Sequence, residues 1–193
     1  MAAGRIGVTV DENGGRLSAD VTAYLIHRRY TGSKNGDIWN ADEGIETRPI
    51  GDPNRRLIQW PEQHETAGVV KNDATKRRYK RVVRILKRMR DEFRNSGADA
   101  QRAAAADPLR SVFLEHAVFN APNHCFNLSD GTYYEDVKAV VKHLWNAARE
   151  PQQAARMMAV NGMHPLFQAS ESWSAATLEA FMLAAWQHVG FKN

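Results

Sequence analysis

Apolar and polar positions along this chain change period once, and the change divides it. From Arg16 to Ile26 (RLSADVTAYLI) they alternate by twos. Leu17, Ala19, Val21, Ala23 and Leu25 share one face; Ser18, Asp20, Thr22 and Tyr24 share the other. Alternation of this kind predicts a strand with one buried face. Arg5 to Val10 (RIGVTV) reads as the preceding strand. The Asp11-Glu12-Asn13-Gly14-Gly15 link suits a tight hairpin, because Asn-Gly and Gly-Gly tolerate positive φ. Residues 31–55 are rich in Gly, Asn, Asp and Pro and read as a long loop, with Leu57–Trp60 as a short strand after it.

From Asp73 onward the period is that of a helix. Val82, Leu86, Met89 and Phe93 follow a four-three-four spacing, the buried stripe of a long helix that starts at Thr75. A linker from Asn95 to Pro108 follows, with an alanine run that is either helical or loose. Further helices are predicted over Leu109–Asn120, Tyr133–Arg149 and Ser174–Val189, with Gln152–Asn161 as a shorter helical segment. Ser174 fits an N-cap. Trp145, Trp173 and Trp186 fall on the helical half and read as core. Strands first and helices afterwards predict an α+β fold, divided into residues 1–70 and 71–193.

Charge sharpens this picture. Lys71 to Arg94 holds 11 Lys/Arg against 3 Asp/Glu, whereas the whole chain has 26 against 22. The remainder therefore carries 15 against 19 and is slightly acidic. Lys76, Lys80, Arg84 and Arg88 repeat at i, i+4 along one side of the helix. So localised a positive field attracts polyanions, which makes phosphate the expected partner. Arg77, Arg78 and Arg90 are expected to face solvent or nucleic acid. The single cysteine, Cys125, excludes an internal disulfide framework and fits a reducing, cytoplasmic setting; it reads as a small buried hydrophobe. No apolar run is long enough to span a membrane. The seven histidines show no zinc spacing, and His64 reads as a structural hydrogen-bonder.

Several segments, in order, resemble the DNA polymerase β-type nucleotidyltransferases, above all the bacterial relatives of cyclic GMP–AMP synthase and 2′,5′-oligoadenylate synthetase. Ala19-Asp20-Val21 followed by Arg28-Arg29-Tyr30 looks like the family's last palm strand. Gly44-Ile45-Glu46, Trp60-Pro61-Glu62-Gln63-His64, Gly68 and Lys71-Asn72 look like its middle. Thr75 with Lys80-Arg81-Val82-Val83-Arg84-Ile85-Leu86-Lys87 looks like its long spine helix. Phe113-Leu114-Glu115, Phe119-Asn120-Ala121-Pro122 and Trp173-Ser174 look like its helical lobe. The family's Gly-Ser loop and Asp-x-Asp strand have no counterpart here, and Val21-Thr22-Ala23 departs from the family's proline pattern.

The resemblance implies a partial palm of short antiparallel strands, then a spine helix and a helical lobe. It implies transfer of a nucleotide from a nucleoside triphosphate to a hydroxyl, in a cyclic or linear oligonucleotide signal. In that chemistry two divalent ions, held by three carboxylates, activate the hydroxyl and neutralise the leaving group. Asp20 would be the third carboxylate and a metal ligand. Mg²⁺ is implied only where the other two are supplied. Lys71, Asn72, Thr75, Lys80, Arg84 and Lys87 are the candidate nucleotide-binding residues. The other readings are a catalytically incomplete module that binds nucleotide or RNA through its basic helix, and a protein-interaction module. A palm without its first strands leaves an apolar face uncovered, so self-association or a chain supplying the N-terminal palm is expected.

Overall fold

The computed structural model describes residues 8–10, 15, 17, 19–35, 38–49, 52, 54–95, 99–129, 131–168 and 172–192. The chain forms two compact units, Met1–Glu62 and Gln63–Asn193. The division falls at the start of a helix, eight residues before the expected 70/71 boundary.

In the first unit β1 (Val8–Val10) pairs antiparallel with β2 (Ala19–Val21), placing Thr9 opposite Asp20. The strand expected over 16–26 is not continuous: residues 22–24 leave the ladder and Leu25 opens a new strand. β3 (Leu25–Asn35), β4 (Ile38–Thr47) and β5 (Leu57–Gln59) make an antiparallel sheet in that order. Much of the segment expected to be a loop is thus a long hairpin. Its register is carried by charge rather than by an apolar face. Arg28 faces Glu43 and Arg29 faces Asp42, each at 2.8 Å. Opposite charges directly across a ladder stabilise it.

On the other side of β4, Gly44 lies opposite His27. A Cβ there would meet the Gln59 carbonyl oxygen at 2.6 Å and Trp60 Cε3 at 2.8 Å. The missing side chain lets the Trp60 ring settle against the strand, with His27 edge-on to it and Arg29 over it. Arg56 grips Glu46 with two hydrogen bonds, at 2.8 and 2.6 Å, and holds its carboxyl down at about 2. Leu17, Val21, Leu25 and Ile26 are exposed, Leu17 at 88%.

The second unit is helical: α1 (Pro61–Ala74), α2 (Tyr79–Asn95), α3 (Ala100–Ala106), α4 (Ser111–Phe119), α5 (Tyr134–Arg149), α6 (Pro151–Ala154) and α7 (Ala175–Val189). The predicted stripe Val82, Leu86, Met89 and Phe93 is buried and packs in one core with Phe113, Leu144 and Phe181. Trp173 is buried and donates Nε1–H to Leu166 O; Trp145 and Trp186 are partly buried against the core. Ser174 and Thr177 form a capping box at α7, which ends at Gly190 with φ 71°. Cys125 is buried, and burial pushes its thiol up.

Two helix boundaries also differ from expectation. The long helix starts at Tyr79, because Lys76 and Arg77 turn left-handed with φ 50° and 64°. The segment before it is a separate helix, α1. The helix expected over 152–161 shrinks to α6, and Met158 instead bridges to Pro165.

Candidate functional site

The basic helix begins at an elbow built from its own side chains. Asn72 and Thr75 are both buried there. The Thr75 hydroxyl donates to Lys71 O at 2.8 Å and accepts the Tyr79 N–H at 3.1 Å. Asn72 Oδ1 accepts the Lys80 N–H at 3.2 Å. First-turn N–H groups of α2 are therefore satisfied from inside the fold. Lys71 donates to Ala121 O at 2.5 Å and lies 5.5 Å from the centres of the Phe119 and Phe126 rings. Burial pushes its ammonium below the usual lysine value.

Arg78 locks the elbow. Its guanidinium donates to the carboxylate of Asp136 and to Thr132 O, and stacks 4.3 Å over Tyr133. Asp136 is fully buried, and its other oxygen accepts the Leu128 N–H at 2.9 Å. Arg90 is also buried, bonded to Asp91 at 2.6 Å and to Leu109 O. Arg90 does not meet the solvent as the sequence suggested, and Arg78 is only partly exposed, its guanidinium committed to Asp136 and Thr132 O. Position 90 lies four residues beyond Leu86, inside the buried stripe, so its charge turns to a carboxylate and a carbonyl. Arg77 is exposed, as expected.

Beyond the elbow α2 has two different flanks. At roughly 100° per residue, Lys80 and Lys87, both half-buried, fall on one side of the buried stripe; Arg84 is next to them in angle but exposed, and it lines a shallow pocket with Arg88, Met89 and Glu92, while Arg81 lies further round. Lys87 Nζ bonds to Glu115 Oε2 at 3.1 Å, and His64 Nε2 lies 3.3 Å from Glu115 Oε1. His64, then Lys87, hold the Glu115 carboxyl down at about 2 despite its partial burial. The next residue, His116, is buried, and its Nδ1 accepts the Val160 N–H at 3.1 Å. Burial pushes His116 down to about 4, so it is neutral at pH 7. Among the described residues, Lys80 and Arg84 have no hydrogen-bond or ion-pair partner for their side chains.

The structure thus brings Lys80, Arg84 and Lys87 to one flank and sets Lys71, Asn72 and Thr75 at the elbow beside them. Asp20 belongs to the first unit, and its side chain lies outside the described residues. The sequence did not single out Glu115 for the site; the signal was its place in the Phe113-Leu114-Glu115 segment. The flank offers fixed positive charge to a polyanion. Among the described residues no group of three or more His, Cys, Asp or Glu could hold a metal. The residues of this flank are cations and do not offer an Mg²⁺ pair the carboxylate ligands it needs.

Residues 66–190 match the sequence profile of the cGAS/DncV-like nucleotidyltransferase C-terminal helical domain. The chain is 29% identical over 187 residues to the cyclic dipyrimidine nucleotide synthase CdnE of Cecembia lonarensis, a match covering 95% of this chain and 58% of that protein. It is 28% identical to a cyclic dipurine nucleotide synthase of Elizabethkingia meningoseptica, over 96% of this chain and 58% of that protein. It therefore spans under three-fifths of the length of these curated relatives. Among solved structures it is similar to Elizabethkingia meningoseptica CdnE cyclic dinucleotide synthase with GTP and Apcpp: TM-score 0.78, 27% identity, 96% of this chain and 62% of that one. It is also similar to Rhodothermus marinus CdnE c-UMP-AMP synthase with Apcpp and Upnpp: TM-score 0.76, 26% identity, 98% of this chain and 60% of that one.

Proposed function

Because the chain belongs to the family of the cGAS/DncV-like nucleotidyltransferase C-terminal helical domain, we propose that it is the C-terminal part of an enzyme that joins nucleoside triphosphates into a cyclic or linear oligonucleotide signal. The relatives named above are synthases of cyclic nucleotides, and two of them are solved with triphosphates or their analogues. The observation that carries the reading is the flank of α2: Lys80, Arg84 and Lys87 fall within eight residues, and among the described residues the side chains of Lys80 and Arg84 have no hydrogen-bond or ion-pair partner.

In this reading Lys80, Arg84 and Lys87 meet the triphosphate, and Lys71, Asn72 and Thr75 fix the elbow that aims them. Lysine and arginine supply the charge that phosphate oxygens require. Asp20 serves the attacking hydroxyl, with Mg²⁺ held only where further carboxylates join it. The setting is cytoplasmic; no described helix is long and apolar enough to cross a membrane. A second reading, contact with RNA without turnover, rests on exposed Lys76, Arg77, Arg81 and Arg88.

Titration with a non-hydrolysable ATP analogue separates the two. Lys80→Ala and Arg84→Ala should each weaken binding about tenfold, the worth of one charge-assisted hydrogen bond. Arg81→Ala should change it less than about twofold, as a screened surface charge does. Equal losses at all three positions would favour a diffuse polyanion surface, and no losses would refute the site.

A further inference from the structure

We propose that Glu115 is a positioning residue that stands in for a ligand phosphate, its Oε2 holding Lys87 in the unliganded chain and releasing it to the triphosphate while its Oε1 keeps His64. The inference rests on the triphosphate reading of the α2 flank and adds a residue to it.

Three observations carry it. The first is repulsion. Lys80 to Arg84 is an i, i+4 pair and Arg84 to Lys87 an i, i+3 pair, and like charges so spaced on a helix destabilise it. One carboxylate, from α4, relieves this at Lys87. The second is access. The Lys87 and Glu115 side chains are 27% and 25% exposed, so the pair is neither sealed in the core nor loose in solvent. Both side chains can be reached from solvent, so an incoming anion can compete for Lys87 without opening the core. The third is the division of labour on the carboxylate. Each oxygen has its own partner, so losing Lys87 from Oε2 leaves His64 on Oε1.

The surroundings keep Glu115 in place during such an exchange. Tyr79 of α2 donates its hydroxyl to the Glu115 backbone oxygen at 3.2 Å. His116 adds no positive charge of its own at neutral pH. Lys87 carries three donors, of which Glu115 takes one. A phosphate oxygen arriving at Lys80 and Arg84 therefore finds Lys87 oriented along the same flank and held by a partner of the same chemistry as itself.

The test is a titration of the chain with inorganic tripolyphosphate, without divalent metal and at low salt, in a double-mutant cycle. Glu115→Gln keeps the shape and removes the competing charge. It should tighten tripolyphosphate binding about fivefold or more, and in a Lys87→Ala background the gain should fall below about twofold. Unchanged or weaker binding by folded Glu115→Gln overturns the inference. So does an equal gain without Lys87, which would be through-space repulsion alone. Should Glu115→Gln not fold, the ¹³C resonance of the Glu115 carboxyl is followed in the wild-type chain. Its movement at saturating tripolyphosphate, lost in Lys87→Ala, supports the exchange; a stationary resonance refutes it. Binding that Lys80→Ala and Arg84→Ala weaken while Glu115→Gln is inert removes the Glu115 role alone. No binding by the wild-type chain removes the triphosphate site as well.

Discussion

Arg78 and Asp136 show how much a single side chain does at the elbow. The carboxylate is fully buried, and the arginine neutralises it while tying α2 to the start of α5. Removing one partner of a buried pair strands the other charge, at a cost of about 3–5 kcal/mol. Arg78→Met should therefore lower the unfolding free energy in urea by about 3 kcal/mol. A loss below about 1 kcal/mol, the range of an exposed pair, would contradict the burial of Asp136. His116 makes a prediction in pH. Its folded value of about 4 lies below the ordinary 6.5, so the unfolded chain binds more protons between those limits. Its stabilising contribution is complete above pH 6.5 and is lost as pH falls towards 4. The loss is on the order of 3 kcal/mol for a shift of this size. His116→Asn keeps an acceptor for the Val160 N–H and should flatten the pH dependence in that window. Glu115 acts in a lower one: its contribution is present above 4.5 and lost towards about 2.

Among the elements, those with a one-sided apolar stripe were legible in the sequence and those held by polar contacts were not. α2 declared itself through Val82, Leu86, Met89 and Phe93, and α7 through its cap at Ser174. α1 buries only Gly68 and Asn72 and has no apolar stripe to read. Pro61 at its start and Glu62 in its first turn were the available signals. The β3–β4 hairpin was hidden in the same way. Its cross-strand partners are Arg28 with Glu43 and Arg29 with Asp42, and its Gly and Asn content resembles a loop. Of the site, the charge of the α2 flank was legible, whereas the inward turn of Arg78 and Arg90 depends on partners distant in sequence. Gly44 tests the hairpin. In Gly44→Ala the new methyl would press on the Gln59 carbonyl and the Trp60 ring, so one of them must move. A cost of about 1–3 kcal/mol is expected, as for overpacking, together with a changed Trp60 environment. Trp fluorescence and thermal melting should report both. An unperturbed spectrum and melting temperature would show that the ring does not pack there.

Across the whole molecule, an all-helical unit carries a well-filled core and a charged flank, while the strand-rich unit leaves Leu17, Val21, Leu25 and Ile26 open to solvent. The central claim belongs to the helical unit: a triphosphate is received on the flank of α2 that bears Lys80, Arg84 and Lys87. The most direct measurement is an NMR titration of the chain with a non-hydrolysable ATP analogue, following backbone amides and lysine and arginine side chains. The account predicts perturbations centred on Lys80, Arg84 and Lys87 and extending to His64 and Glu115. Perturbations confined to Arg81, Arg88 and Glu92, or none at saturating ligand, would contradict it.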